Sequence, residues 1–332
     1  MFLADETTSE NWPWRIPFGL QTIPSLILSV GILFCPFSPR WLISRDREDE
    51  AQKILINIRS SCYDDIKEEL DRIKNEVAYL RENEIESYRQ LFRPPLRRLF
   101  LMGMSIQILQ QLTGISGTIS YSPQVFTRIF SNETAPFPFI PTYLPITVSA
   151  IYGSIYFLTA AITIFFIDKL SRRVLLVTGG LVMFISLLLI GIFMVAFGTA
   201  VPSPYRNVTI YDYNSASLRT VLIVLMHIYV IGFSCSWGPI PWAYCTEIFP
   251  VTMRAKATSW TTAANWLTSS IATYAAPFLL VYLPYGTFFI FSFLCGLMAV
   301  ISFFFYPDTK HMHLEDSQRI FTLTSSQKLD AN

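Results

Sequence analysis

Residues 99–119 read LFLMGMSIQILQQLTGISGTI, with no charged side chain. As a helix this stretch is long enough to cross the roughly 30 Å apolar core of a bilayer. Within it, Gln107, Gln110, Gln111, Gly114 and Thr118, continued by Tyr121, recur at helical i, i+3, i+4, i+7 spacing and form one polar stripe. Polar groups in a membrane helix face a bundle interior or a water-filled cavity, because facing lipid costs several kcal/mol. Amides both donate and accept hydrogen bonds, which suits a neutral polyhydroxy ligand. Glutamines that tie packed helices together would show the same pattern, so both readings stand at this point.

Six further apolar runs surround this one, giving candidate spans near Trp14–Phe34, Leu99–Ile119, Tyr143–Ile167, Val174–Phe197, Val221–Tyr244, Ser259–Tyr282 and Gly286–Tyr306. Composition agrees. Of 332 residues, 52% are hydrophobic and 15% charged, against about 25% charged in an average soluble domain. Lysine and arginine number 25 against 24 acidic residues, so the basic excess of a nucleic-acid binder is missing. Cys35, Cys62, Cys235, Cys245 and Cys295 lack the spacing of a metal site or disulfide framework. The sequence offers no paired carboxylates, nucleophile elbow or phosphate loop, and of its three histidines only His227 falls in a span. Neither catalysis nor a cofactor is expected. The first ten residues turn polar and acidic after Leu3, which is not a cleavable leader.

Lys169, Arg172 and Arg173 follow the third span, Arg254 and Lys256 follow the fifth, and Lys310, Arg319 and Lys328 lie in the tail. The positive-inside rule puts these segments in the cytoplasm, with the N-terminus outside and the C-terminus inside. Two sequons, at Asn132 and Asn207, fall in loops assigned outside and are candidate glycosylation sites, Asn132 being the closer to the membrane. They are also the basis for expecting a plasma membrane. An odd number of spans with an outside start is what a chain lacking its beginning would show.

Between the first two spans, Asp46 to Arg98 alternates charges with apolar positions at Ile54, Ile58, Ile66, Leu70, Ile73, Val77 and Leu80. That periodicity predicts two or three short amphipathic helices lying against the membrane domain, with Asp64 and Asp65 at a helix start. Elsewhere Gly114, Gly117 and Gly238-Pro239-Ile240-Pro241 place helix breakers at membrane depth, where broken helices line cavities or are buried in protein. Trp242 offers a flat face suited to stacking on a sugar ring, although tryptophan is also common at membrane interfaces. Asn265 is a further buried-amide candidate. His227 reads as a packing residue rather than a proton relay.

From Trp14 to Phe321 these features, taken in order, resemble the sugar porter branch of the major facilitator superfamily, with a fungal idiom. Trp14-Arg15-Ile16-Pro17-Phe18-Gly19-Leu20-Gln21 resembles the start of that family's sixth span, and Ser38-Pro39-Arg40-Trp41-Leu42 the end of its Pro-Glu-Ser-Pro-Arg-Trp motif. Gln110-Gln111-Leu112-Thr113-Gly114-Ile115 is similar to the seventh-span signature, and Asp168-Lys169-Leu170-Ser171-Arg172-Arg173 to the loop after span eight. Gly238-Pro239-Ile240-Pro241-Trp242 with Glu247-Ile248-Phe249-Pro250 and Arg254 resembles the tenth span and its exit, and Pro307-Asp308-Thr309-Lys310 the closing motif.

The resemblance implies an all-α membrane protein with an incomplete major facilitator fold of seven transmembrane helices, spans six to twelve, plus a cytoplasmic helical insertion. Residues 1–13 would be an extracellular start, 14–37 span six, 38–98 the linker domain, 99–306 the C-terminal six-helix bundle and 307–332 a cytoplasmic tail. It further implies alternating-access transport of a hexose-like monosaccharide, facilitative or proton-coupled. The acidic residue of the family's symporters belongs to the first span, outside this chain. Sugar contacts would come from Gln110, Gln111, Ser116, Trp242 and Asn265. An inside gate would be built from Arg40, Asp168, Arg172, Arg173, Glu247 and Arg254. Partners would be the sugar, protons, the bilayer and the N-terminal half that transport needs. Alternatives are a transporter-like sugar sensor, which the short tail of this chain disfavours, and a non-transporting fragment. The sequence departs from the family pattern at Ser116 and Ser269, each in place of Asn, and at Ser120 in place of Tyr. Phe37, Ser171 and His311 are further departures, and the shortened side chains put sugar preference in question.

Overall fold

The computed structural model describes residues 12–58, 63–83, 87–94, 96–130, 144–167, 169–202, 209–212 and 215–308. Asn132, Asp168 and Asn207 lie outside the described residues. Two compact units divide the chain, residues 1–84 and 85–332.

In the first unit, α1 (Trp12–Leu33) carries Pro17 and Pro24 and leaves its large apolar side chains exposed. Three helices follow: α2 (Pro39–Ser44), α3 (Glu48–Ile58) and α4 (Tyr63–Asn83). Their amphipathic faces close a small core of Leu42, Ile43, Ala51, Leu55, Ile66, Leu70 and Ile73. Ion pairs rim that core: Arg40–Glu76 at 2.7 Å, Lys74–Glu48 at 2.5 Å and Arg81–Asp46 at 3.0 Å. Arg81 also donates to the Ser44 carbonyl at 2.6 Å, holding the turn in which Asp46 adopts a φ of 60°.

The second unit is the membrane bundle: α5 (Leu96–Leu112), α6 (Ile115–Ser120), α7 (Ser122–Phe130), α8 (Leu144–Thr163), α9 (Arg172–Phe197), α10 (Ala216–Cys235), α11 (Ile240–Ile248), α12 (Val251–Tyr282) and α13 (Gly286–Phe305). A 3-10 turn at Tyr88–Phe92 packs on this bundle. Leu91 is buried in the bundle core, Phe92 meets Phe100 edge-on at 5.1 Å, and Tyr88 meets Trp260 at 6.5 Å.

Six helical stretches among the described residues are long and apolar enough to cross a membrane. The sequence reading had seven. The seventh, α12, forms a 32-residue helix but is less apolar, because it carries Thr261, Asn265, Thr268, Ser269 and Ser270 among its alanines. That polarity is where α12 meets the amide stripe described below. A second difference lies at the opposite end: Thr199–Pro202 and Thr209–Asp212 pair as a short antiparallel hairpin where only a loop was expected.

Short connections gather at one end of the bundle. The α8–α9 turn, the α11–α12 turn and the exit of α13 meet there: Arg172 reaches Glu247, its backbone N–H reaches Asp308 Oδ1 at 3.2 Å, and the Tyr244 hydroxyl reaches the Pro307 carbonyl at 3.3 Å.

Candidate functional site

Two spans of the bundle are interrupted, and each interruption follows from local chemistry. The helix ending at Leu112 resumes at Ile115 through Gly114, whose φ of 83° is left-handed. A side chain there would be strained by the backbone, and a Cβ would lie 2.8 Å from the Phe291 ring. The second interruption runs through Ser236, Trp237, Gly238 and Pro239 between α10 and α11. Pro241 does not break the helix; it sits in the first turn of α11, where a missing N–H is tolerated. A cost remains, because the carbonyl of Trp237 stands four residues before Pro241 and that helical donor does not exist. In the low-dielectric interior an unpaired carbonyl is expensive.

Gln110 meets this need. Its Nε2 donates to the Trp237 carbonyl at 2.6 Å and to that of Gly238 at 2.9 Å. The service is reciprocal: Tyr229, on α10 just before the second break, donates its hydroxyl to the Thr113 carbonyl of the first break at 2.9 Å. Trp237 itself is fully buried and donates Nε1–H to the Leu176 carbonyl at 2.9 Å. Each broken span thus satisfies backbone groups freed by the other.

From Gln110 the network reaches α12. Asn265 Nδ2 lies 2.7 Å from Gln110 Oε1, 2.7 Å from Gln107 Oε1 and 3.1 Å from the Gln107 carbonyl. Gln111 Nε2 donates to Asn265 Oδ1 at 3.0 Å, and Ser116 donates to Gln111 Oε1 at 2.5 Å. Ser269 and Ser116 are 3.0 Å apart, and Gln107 Nε2 approaches the Pro241 carbonyl at 3.4 Å. Burial is graded along the network. Gln107 and Asn265 are 1% exposed and Gln110 3%, whereas Gln111, Ser116 and Ser269 are only half-buried.

Four of the five expected sugar-contact residues therefore meet in one network: Gln110, Gln111, Ser116 and Asn265. The fifth, Trp242, is 40% exposed on α11, one residue after the carbonyl that Gln107 approaches. Sequence reasoning passed over Gln107, Tyr229 and Trp237 as site residues and noted Ser269 only as a departure. For Gln107 the helical spacing was a usable signal. His227 packs against Phe126 and Tyr152, with Nδ1 2.7 Å from the Ile223 carbonyl.

At the end of the bundle where the short connections meet, Arg172 pairs with Glu247 at 3.0 Å and also donates to the Ile167 carbonyl. Arg173 donates to the Phe303 carbonyl and stacks over the Phe303 ring. Arg254 caps the Phe249 carbonyl with two bonds of 3.2 Å. Arg40 lies in the first unit, held by Glu76.

Set beside known proteins, this arrangement has a clear context. The family model described as "Sugar (and other) transporter" matches residues 1–321. The chain belongs to the sugar (and other) transporter family. Among relatives, Sugar transport protein 13 of Arabidopsis thaliana is 30% identical over 307 residues, covering 92% of this chain and 54% of that protein. Sugar transport protein MST8 of Oryza sativa subsp. japonica is 32% identical over 314 residues, covering 94% and 57%. The major facilitator proton:xylose symporter XylE, solved with 6-bromo-6-deoxy-D-glucose bound, superposes with a TM-score of 0.70 at 25% identity, covering 95% of this chain and 62% of that one. XylE from E. coli in an inward-open conformation superposes at 0.62 with 24% identity.

The chain spans a little over half the length of these plant relatives. It is an integral multi-pass membrane protein with the major facilitator fold. The fungal idiom is corrected by these relatives, which are plant proteins.

Proposed function

We propose that this chain supplies spans six to twelve of an alternating-access transporter for a neutral, hexose-like monosaccharide. The observation that carries the reading is the charge-free network of Gln107, Gln110, Gln111 and Asn265, which binds three spans together and ends in half-buried groups. Neutral amides match a neutral polyol, and a ready-made network needs little reorganisation on binding. Within it, Gln110 is fully committed to two backbone carbonyls and to Asn265. Its role, with Gln107 and Asn265, is to position; Gln111, Ser116 and the indole of Trp242 are the groups offered to the sugar.

Coupling to protons is supported by the likeness to a proton:xylose symporter. Arg172 and Glu247 form the centre of a cytoplasmic gate, flanked by Arg173 and Arg254, whose pairs break and re-form as two bundles rock. The positive-inside rule supports a cytoplasmic C-terminus, with the loops of Asn132 and Asn207 outside, and the two sequons support a plasma membrane.

Transport needs a second bundle across the site. Vesicles reconstituted with residues 1–332 alone are expected to show no saturable glucose uptake, and a chain extended by the N-terminal spans is expected to show it. Uptake by residues 1–332 alone that Gln110→Ala abolishes would overturn the two-bundle reading. No uptake by the extended chain would overturn the transport reading.

A further inference from the structure

The amide network has a direction, and the direction is forced. The carbonyls of Trp237 and Gly238 can only accept, so Gln110 must present its NH2 to them at 2.6 and 2.9 Å. Its Oε1 therefore faces Asn265, which must present NH2 in turn at 2.7 Å. Asn265 is left with Oδ1 toward Gln111, so Gln111 donates across 3.0 Å and turns its own Oε1 toward Ser116. Ser116 spends its one hydrogen on that oxygen at 2.5 Å. Across the 3.0 Å contact between the two serines, only Ser269 can then be the donor. Every hydrogen points from the half-buried rim toward the break between α10 and α11. Bonds so aligned polarise one another and strengthen the chain.

We infer that this orientation dictates which polarity a ligand must bring to the rim: at Ser269 and Ser116 it must donate. Ser269 has used its hydrogen and Ser116 has used its own, so both oxygens offer only lone pairs. Beside them Gln111 Nε2 has a second hydrogen, for which no acceptor stands among the described residues. A donor placed next to acceptors is the complement of a hydroxyl, which gives its hydrogen to a serine oxygen and accepts from Gln111. A keto, methoxy or fluoro group at the same position can satisfy Gln111 but not the serines. The site thus reads one substrate hydroxyl as a donor. This deepens the sugar reading and rests on it for the identity of the ligand; the direction of the chain does not.

Two measurements separate those parts. The first is equilibrium binding of D-glucose and of its monodeoxyfluoro and mono-O-methyl derivatives to the purified transporter. At one ring position both substitutions are expected to weaken binding about tenfold, the loss of a donated hydrogen bond. In a variant carrying both Ser116→Ala and Ser269→Ala, which leaves the ligand without either serine acceptor, the hydroxyl-to-fluoro ratio at that position is expected to fall towards one. Fluoro derivatives that bind as well as glucose at every position would overturn the inference, as would an unchanged ratio in the double variant.

The second measurement needs no sugar. Asn265→Asp puts a carboxyl where acceptor oxygens of Gln107 and Gln110 converge, so only its protonated form can donate to them. The protonated form fits the folded site and the carboxylate does not, so the stability it lends is present at low pH and lost as pH rises. The variant is expected to melt several degrees lower at pH 8 than at pH 5, relative to the parent. Equal or greater stability at pH 8 would mean that the amides present donors to position 265, and the direction would be reversed. Failure of glucose to bind, with Asn265→Asp melting as expected, would overturn the sugar reading and leave the direction standing.

Discussion

The bundle holds two polar clusters of opposite kind. Around Asn265 the groups are neutral amides and hydroxyls, nearly all hydrogen-bonded, buried at Gln107, Gln110 and Asn265 and half-buried at Gln111, Ser116 and Ser269. Around Arg172 they are full charges at the edge of the bundle, with Glu247 partly open to solvent. Physical cost explains the division. An amide can be buried when its bonds are met, whereas a buried ion pair must recover a desolvation penalty of several kcal/mol per ion. Charges suit contacts that must open and close near water; amides suit a site that must keep its shape.

The sharpest way to break that contrast is at its centre. Gln110→Ala strands two backbone carbonyls, while Asn265 Nδ2 keeps two Gln107 oxygens, and is expected to cost roughly 4 kcal/mol, at 1–3 kcal/mol for each unsatisfied carbonyl. A fall of many degrees in melting temperature, insensitive to salt, is the expected reading. A loss below about 1 kcal/mol would mean that the amide network carries no load.

Next in size is Arg172→Ala, at about 3 kcal/mol, because a partly buried Glu247 loses this guanidinium. Here melting should depend on salt, and Arg172→Lys should restore only part of the loss, since lysine lacks the planar fork. Smaller again is Tyr229→Phe, at about 1–2 kcal/mol for one stranded carbonyl. Its more telling signature is faster amide hydrogen exchange around both breaks, residues 113–118 and 235–240, in a single variant. Faster exchange at the first break alone would dissolve the reciprocal tie. Last comes Arg40→Ala in the first unit, where the Arg40–Glu76 pair is exposed enough that under about 1 kcal/mol is expected.

How much of this could be read in advance follows the same division. The stripe Gln107–Gln110–Gln111 is visible because helical periodicity exposes any polar residue in an apolar run, and the breaks at Gly114 and Gly238 are visible because their residues dictate backbone geometry. The amphipathic faces of α3 and α4 were likewise legible from Ile66, Leu70 and Ile73. Tyr229 and Trp237 were not. Each donates to a carbonyl more than 60 residues away in sequence, and a backbone carbonyl leaves no mark in a sequence. Gln110 was expected to touch sugar because its amide looks free in one dimension; folding supplies the carbonyls that consume it. The hairpin at 199–212 escaped because Thr199–Pro202 and Thr209–Asp212 are each only four residues long.

One consequence starts from Pro241. Its imide nitrogen carries no hydrogen, so the Trp237 carbonyl is left asking for one, and the request passes through Gln110, Asn265, Gln111 and Ser116 to Ser269. In the language of signals, a single binary choice, donor or acceptor, is written at one end of the network and read out unchanged at the other. Pro241→Ala would restore a backbone N–H and offer that carbonyl a local partner. The Gly238 carbonyl would still accept from Gln110, so one fixed acceptor in place of two would hold the polarity of the distant rim.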